Sequence, residues 1–313
     1  MAVAASEVVT LGEAMVAFVP ESPGPLRHVD RFSRTVAGAE ANVAIGLCRL
    51  GHSATWVGRV GDDEFGRLVS TTLRGEGVDT RFSQVDPAAP TGVMFKERRP
   101  GADSRVLYYR AGSAASRMSP ADIPAEAFAG ARWLHLTGIT PALGAGPRAA
   151  VWHALELARR HGLGVSFDPN HRPRLWSAAE ARPVLCALAS RSDLLLLGRS
   201  EGAVLFGSED PERIAALALA AGARLVAVKL GAAGAILTDA AGSTVIPPLQ
   251  VAAVEPTGAG DAFAAGCLAA LLEGLPPATA GRWGAVCGAL VCTGTGDWEG
   301  MPERPSLQAL LQP

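Results

Sequence analysis

The sequence contains few of the residues that build disulfides, metal sites or nucleic-acid surfaces. Its 313 residues include five cysteines and six histidines, and neither a C-x-x-C nor an H-E-x-x-H spacing occurs. An odd set of scattered cysteines argues against a disulfide framework or a zinc site and favours a reducing cytoplasm. The formal net charge of −2 excludes the strongly basic surface that nucleic-acid binding requires.

Long apolar runs and early positive charges are missing as well. No 18-residue stretch is free of charged residues, proline and glycine, so the sequence predicts no membrane-spanning helix. The first cationic residue is Arg27, whereas a signal peptide begins with positive charge. We therefore expect a cytoplasmic protein that binds neither membranes nor nucleic acid.

Short apolar runs alternate with segments of helical spacing. With 49% hydrophobic and 19% charged residues, the composition is that of a folded globular protein. Most of the apolar runs end directly before Gly or Asp, which is typical of buried strands; they cover 7–11, 54–60, 133–136, 164–167, 193–197 and 225–230. The segments with helical spacing are 40–50, 63–75, 147–161, 178–189 and 210–221.

This alternation predicts an α/β fold. Buried strands that alternate with helices form a mainly parallel central sheet covered by helices on both faces, which gives a three-layer α/β/α sandwich. In such a sheet the ligand binds at the carboxyl ends of the strands. We expect a single domain over residues 1–313.

Two stretches, 15–36 and 91–112, interrupt the alternation. Both contain short extended pieces, turn residues and many charges, without a helix between them. We expect them to form a small β-sheet that leaves the main body and acts as a lid. Further along, the sequence predicts a hairpin over 234–246 and two helices rich in small residues, 260–273 and 279–293.

Residues 198–202 read GRSEG and match the G-x-S-x-G pattern of a hydrolase nucleophile elbow. That mechanism needs a histidine downstream of the serine to act as base. The last histidine in the chain is His171, so the hydrolase interpretation fails. We interpret Ser200 as the N-cap of a helix.

The segment 254–263 reads VEPTGAGDAF and precedes a predicted helix. It has two interpretations. In the first, Asp261 only caps the helix and the glycines form a tight turn. In the second, the N–H groups of Gly258, Ala259 and Gly260 bind a phosphoryl group during its transfer, and Asp261 accepts the proton of the attacking hydroxyl. No Walker A motif occurs, which excludes a P-loop enzyme.

Three segments resemble the ribokinase-like (PfkB) carbohydrate kinases. Residues 258–261 are similar to the C-terminal signature of that family, 38–44 to its N-terminal signature, and 57–66 to the segment that follows it. The resemblance extends over 12–302. It implies a ribokinase-like fold and a kinase that uses ATP and Mg²⁺ as cofactors.

Further segments resemble the 2-keto-3-deoxygluconate kinase branch of the family, namely 108–110, 112–116, 168–172, 175–176 and 296–302. This resemblance implies that the sugar acid contacts Gly38, Asn42, Tyr108, Arg110, Ile139 and Arg172. The planar fork of arginine suits a carboxylate substrate. Arg110 could instead be a solvated surface charge, and Arg172 could pair with Asp168. Because adjacent strand residues face opposite sides, only one of the two neighbouring tyrosines can face the ligand, and the resemblance selects Tyr108.

On the nucleotide side, the resemblance implies contacts from Asn170, Lys229, Gly231, Gly234 and Thr257. Lys229 could also be a surface lysine at a strand end. The resemblance also implies that Glu201 corresponds to the family's glutamate that organises Mg²⁺ through water. Apolar residues of the lid, such as Phe18, Val93 and Leu107, suggest a homodimer or higher homo-oligomer formed through the lid, as the resemblance also implies.

The sequence therefore predicts a kinase that transfers the γ-phosphoryl of ATP to the 6-hydroxyl of 2-keto-3-deoxygluconate. A fructokinase of the same family is the first alternative, and a non-catalytic sugar-binding sensor with this fold is the second. Two departures from the family pattern bear on the choice. Gly198 stands where the family usually has Asn or Ser, and Met94 stands where the branch often has Tyr.

Overall fold

The computed structural model of the protein describes residues 5–98 and 105–312, so part of the second predicted lid stretch, 99–104, lies outside the described residues. The strands are β1 (Val8–Leu11), β2 (Met15–Pro20), β3 (Phe32–Ala37), β4 (Ala54–Val57), β5 (Arg59–Gly61), β6 (Gln84–Asp86), β7 (Val93–Glu97), β8 (Arg105–Tyr109), β9 (Trp133–Thr137), β10 (Gly164–Asp168), β11 (Leu194–Gly198), β12 (Leu225–Lys229), β13 (Ala235–Asp239) and β14 (Gly242–Ile246).

The helices are α1 (Ala39–Arg49), α2 (Glu64–Gly75), α3 (Ala145–His161), α4 (Ala178–Ala189), α5 (Arg199–Phe206), α6 (Pro211–Ala220), α7 (Ala259–Leu272), α8 (Pro277–Val291) and α9 (Arg304–Leu311). Within the described ranges, none of them is both long and apolar enough to cross a membrane.

The large sheet has the strand order β14-β13-β12-β11-β10-β9-β1-β4. The pairings from β4 to β12 are parallel, and the hairpin β13–β14 adds two antiparallel strands at one edge. Helices α1, α2, α7 and α8 contribute to the core on one face, and α3 to α6 to the core on the other. The predicted α/β/α sandwich with a mainly parallel sheet is confirmed.

The second sheet, called the lid sheet below, has the strand order β3-β2-β7-β8. Its strands come from the two stretches that interrupt the alternation in the sequence. Met15, Ala17, Ala37 and Met94 form a small buried cluster in this sheet, against which Val106 and Tyr108 pack. The small β-sheet lid of the predicted fold is therefore present.

Two details of the fold differ from the sequence prediction. The predicted strand 54–60 is broken at Gly58, where a Cβ atom would collide with the Trp56 ring. The chain then turns away, and β5 pairs with β6 in a separate two-stranded sheet. Helix α9 was not predicted; within it only Leu307 is fully buried, which gives a weak apolar pattern.

Ser200 does not cap its helix. Helix α5 begins at Arg199, and Gly198 is its N-cap residue. The Glu201 side chain completes the cap, since its Oε2 accepts a hydrogen bond from the Gly198 N–H at 2.6 Å. The cap therefore depends on a carboxylate that reaches back by three residues, and the N-cap prediction for Ser200 was wrong.

Candidate active site

Two adjoining cavities lie at the carboxyl ends of the parallel strands. The first, about 400 Å³, lies between the sheet edge and the lid sheet and has mixed polar and apolar walls. The second, about 480 Å³, is mainly apolar and lies between the β12–β13 connection and helices α7 and α8. Lys229, Pro256 and Gly260 line both cavities. A ligand in one cavity can therefore reach a ligand in the other at this junction.

The structure brings all the predicted site residues to these two cavities. The first cavity is lined by Gly38, Asn42, Tyr108, Arg110, Ile139, Asn170, Arg172, Glu201, Lys229, Thr257, Gly258, Gly260 and Asp261. The second cavity is lined by Gly231, Gly234, Ala259, Lys229 and Gly260. Residues placed on the sugar side by sequence lie in the first cavity, and the two glycines of the 231–234 turn lie in the second.

Asp261 lines the first cavity and lies in the first turn of α7, directly after Gly260 of the junction. Its Oδ2 accepts a hydrogen bond of 2.8 Å from Asn42 Nδ2 in the first turn of α1. Burial, together with the negative charges of Asp168 and Asp297, raises the pKa of Asp261 to about 7, against the opposing effects of Asn42 and Arg172. A carboxylate with such a pKa can take up a proton near neutral pH.

The N-terminus of α7 leaves N–H groups available beside Asp261. Gly258 is the N-cap residue, with a φ of 85°. The Ala259 N–H donates to the Pro256 carbonyl at 3.2 Å, so it is less available than the sequence suggested. Among the described residues, no backbone carbonyl accepts from the N–H of Gly260 or Asp261. These groups and the helix dipole favour an anion at this point.

The lid side of the first cavity carries a buried arginine. Arg110 is 9% exposed, forms an ion pair with Glu13 and lies 5.4 Å from the centre of the Tyr108 ring. Tyr109 is 62% exposed and faces away, as strand geometry requires once Tyr108 faces inward. Arg172 lies at the exposed end of the same cavity. Two guanidinium groups, those of Arg110 and Arg172, therefore line the first cavity.

Lys229 ends strand β12 and forms an ion pair with Asp168, which ends the nearby strand β10. Burial by itself would lower the pKa of Lys229, but the charges of Asp168, Glu201 and Asp261 outweigh it and raise that pKa. Lys229 thus remains a cation at the junction of the cavities, where phosphate groups would need one.

Glu201 and Asn170 provide oxygen atoms close to this cation. Glu201 accepts N–H groups from Gly198 at 2.6 Å and from His171 at 3.2 Å, which fixes its carboxylate on the cavity wall. Asn170 is held at a φ of 39°, and its buried Oδ1 has no hydrogen-bond partner among the described residues. A buried acceptor of this kind is expected to find its partner in a ligand.

The sequence pattern of the pfkB family carbohydrate kinases matches residues 5–304. The chain belongs to this family. It is a carbohydrate kinase. One relative, the 2-dehydro-3-deoxygluconokinase of Bacillus subtilis (strain 168), is 39% identical over 97% of this chain and 95% of its own length. The fructokinase of Klebsiella pneumoniae is 36% identical over 96% of this chain and 98% of its own length.

Solved structures agree with this assignment. The chain superposes with a TM-score of 0.92 on a protein of E.coli described as a ribokinase II in complex with ATP and Mg²⁺. That protein is 27% identical, and the match covers 98% of this chain and 99% of the other. The similarity confirms the predicted ribokinase-like fold, lid sheet included.

Some residues of the kinase site were not predicted as site residues. Glu13, Glu40, Lys96, Asp168 and Asp297 also line the first cavity. Glu40 is fully buried, accepts hydrogen bonds from the hydroxyls of Thr137 and Thr140, and has a pKa raised by burial. Glu40, Asp168 and Asp297 lie within segments quoted for the resemblance. The rarity of lysine, with two in the chain, is the one signal that could have indicated Lys96.

Proposed function

We propose that this carbohydrate kinase phosphorylates 2-keto-3-deoxygluconate (2-dehydro-3-deoxygluconate) at its 6-hydroxyl, with ATP and Mg²⁺ as cofactors. The observation that carries the proposal is the arrangement of charge in the first cavity. Asp261 stands at the end that joins the nucleotide-sized cavity, and Arg110 and Arg172 flank the space in front of it. A carboxylate substrate with a terminal hydroxyl fits this polarity. The relative from Bacillus subtilis bears the same name as this activity.

The residues present fit ATP and Mg²⁺. The unpartnered Asn170 Oδ1, the Glu201 carboxylate and the Lys229 ammonium lie around the junction of the cavities, and oxygen atoms are the ligands that Mg²⁺ prefers. Because both Glu201 oxygens already accept N–H groups, we propose that it holds the metal through water. When bound, ATP supplies the phosphoryl group and Mg²⁺ neutralises its charge.

Within this proposal, each residue has a defined task. Asp261 accepts the proton of the attacking hydroxyl, and Asn42 keeps its carboxylate aimed at the cavity. The N–H groups of the 258–260 segment stabilise the negative charge on the transferred group. The second cavity, with its apolar walls from α7 and α8, takes the base of the nucleotide, with Gly231 and Gly234 close to the phosphates. The lid sheet excludes water, so that the phosphoryl group passes to the sugar.

The test is a coupled ATP-consumption assay with Mg²⁺. It compares 2-keto-3-deoxygluconate with fructose, ribose, gluconate and 2-keto-gluconate. We expect selective turnover of the keto-deoxy acid. Selective turnover of a neutral sugar would agree with a carbohydrate kinase but refute 2-keto-3-deoxygluconate as its substrate. No turnover of any of the five would favour the binding-protein interpretation and direct attention to Gly198.

Replacing Arg172 by alanine is expected to raise the KM for the sugar acid more than it lowers kcat. Loss of a charged hydrogen bond costs roughly 1.5–3 kcal/mol, which is about 10- to 150-fold in affinity. Arg172 suits this test better than Arg110, since removal of Arg110 would leave Glu13 buried without its ion pair.

The matched control for Arg172→Ala is Arg213→Ala, an exposed arginine on α6 that is expected to leave both constants unchanged. An unchanged KM in Arg172→Ala would argue against a carboxylate contact at this residue.

A fructokinase remains the alternative, because the fructokinase from Klebsiella pneumoniae is 36% identical to this chain. Met94 bears on the choice, since it lies opposite Tyr108 in the lid sheet and lines the cavity without a hydroxyl. If fructose is the substrate, Arg172→Ala will hardly change kcat/KM for fructose.

We also propose that the kinase forms a homodimer through the outer face of the lid sheet. On this face Phe18 packs between Phe65 of α2 and Phe95. The uncovered part of the face begins at Tyr109, which is exposed and packs edge-on against Phe95 at 5.8 Å. Light scattering should give about twice the chain mass of 32.1 kDa, and Tyr109→Asp should shift the protein towards monomers. A wild-type protein that runs as a monomer at assay concentration would refute the dimer.

A further inference from the structure

Lys96 is a buried cation that the mechanism above does not use. It lies on strand β7 of the lid sheet, is 1% exposed, and lines the first cavity. Its Nζ donates to Asp297 Oδ1 at 2.6 Å, and Asp297 is 5% exposed. A buried ion pair is costly to break, because the remaining charge is left without a partner. The pair therefore joins the lid sheet firmly to the segment that precedes α9.

Asp297 in turn contacts the start of α7, where the N–H groups after Gly258 form what is called the anion pocket below. Its carbonyl oxygen lies so close to the Gly258 Cα that a Cβ atom on Gly258 would overlap it. Gly258 is the N-cap residue of α7, with its φ of 85°. The Asp297 backbone therefore packs directly against Gly258, next to the N–H groups that follow it at the start of α7.

The segment 296–301 is also held from its other side. Trp298 Nε1 donates to the Val36 carbonyl of β3 at 2.9 Å, and the Thr35 hydroxyl contacts Glu299. Arg49 of α1 donates to the carbonyls of this segment. The segment thus lies between the lid sheet and α1. On the side of the first cavity, it is bound by the Lys96 ion pair.

We propose that Lys96 is a positioning residue for phosphoryl transfer: through Asp297 it couples the lid sheet to the placement of Gly258 and its anion pocket. The proposal rests on the proposed kinase function. The lid sheet covers the sugar, and the Lys96–Asp297 pair transmits its position to the N–H groups that bind the transferred phosphoryl group. Without the pair, the sugar still binds, but the anion pocket is displaced from the reacting atoms.

The test is Lys96→Met, which keeps the length of the side chain and removes its charge. We expect kcat to fall by about 10²-fold, the effect of a displacement near 1 Å, while the KM for the sugar changes by less than about threefold. Hydrolysis of ATP without sugar phosphorylation should rise as a fraction of turnover. Lys96→Arg should recover part of kcat, because it restores the ion pair. Arg105→Met, an exposed cation of the same lid sheet, is the control and should behave as wild type.

A double-mutant cycle with Asp297→Asn separates the proposal from its rivals. If the pair acts as a unit, Lys96→Met/Asp297→Asn will be no slower than the worse single variant, and it will fold even if Lys96→Met does not, since no charge is left buried alone. Additive losses, or a rise in KM at unchanged kcat, would overturn the positioning role. The assay uses whichever sugar the wild-type kinase phosphorylates, so a wrong substrate assignment does not affect it. Failure of the proposed kinase function would show already in the wild type.

Discussion

Replacing Asp261 by asparagine is expected to lower kcat by about 10²–10⁴-fold, the range for loss of a positioned base, with little change in ATP affinity. Asparagine keeps the size of the side chain and a hydrogen-bonding group for Asn42, but it cannot accept the proton of the sugar hydroxyl. Steady-state assays and nucleotide titration measure the two effects separately. The control is Asp62→Asn, an exposed carboxylate, and near-normal turnover in Asp261→Asn would refute the mechanism.

The pH dependence should identify the same carboxylate. Asp261 acts as a base only when ionised, and its pKa is raised to about 7. The wild-type kcat/KM should therefore increase with pH up to about 7 and then level off. The residual activity of Asp261→Asn should lack this increase. An acidic limb with its midpoint near pH 4 would mean that the pKa of the base is not raised, and an increase that persists in Asp261→Asn would mean that another group controls activity.

The same pKa shift has a consequence for stability. The folded chain holds the Asp261 proton up to about pH 7, whereas the ordinary pKa of an aspartate outside the protein environment is 3.8. The contribution of this group to the free energy of unfolding is therefore greatest at low pH and is lost as the pH rises from about 4 to 7. At pH 8, Asp261→Asn should have a higher Tm than the wild type, and the difference should vanish near pH 4.

Gly258→Ala should be the next most damaging change, with kcat reduced by about 10²–10³-fold, as for loss of one oxyanion-hole donor. Alanine is disfavoured at a φ of 85°, and its Cβ would collide with the Asp297 carbonyl. The helix start must move to relieve that collision, and the anion pocket moves with it. Single-turnover assays at saturating ATP measure the loss directly.

Gly274→Ala is the matched control for this prediction. Gly274 follows the other end of α7, also has a positive φ of 73°, and has open space where a Cβ would lie. It shares the backbone strain of Gly258→Ala without the collision. We expect Gly274→Ala to lower the Tm and to leave kcat near that of the wild type. Equal losses of kcat in both variants would assign the effect to strain alone.

The sequence was sufficient to predict most of the strands and helices and the lid, and to select residues that the structure brings to two adjoining cavities. The predicted elements and the selected site residues both follow from patterns within short segments of the sequence. The buried strands are short apolar runs such as 194–197, and the residues from 258 to 261 combine a tight turn, a helix start and a carboxylate in one segment. The positions of such features in the fold follow from the parallel order of the strands, which brings their carboxyl ends together.

What the sequence could not provide are pairings between distant segments. Lys96 lies 201 positions from Asp297, and nothing near either residue in the sequence indicates the other. The sequence leaves a surface charge open as an alternative for Arg110, because its partner Glu13 precedes the first lid strand and is far from Arg110 in the sequence. The break at Gly58 and the cap at Gly198 depend on contacts with the Trp56 ring and the Glu201 side chain, which residue type alone does not reveal.

The hydrogen bond between Asn42 and Asp261 spans 219 positions, and this separation has a consequence for synthesis. A ribosome produces the lid strands and the residues from Gly38 to Arg172 of the first cavity long before it produces Asp261, and Asp297 emerges later still. A nascent chain can therefore form most of the parallel sheet while the phosphoryl-transfer site is still lacking. Enzymatic activity in this fold should appear last, after most of the helical content has formed. Any chaperone that holds the unfinished chain would meet an exposed apolar sheet face where α7 and α8 will later pack.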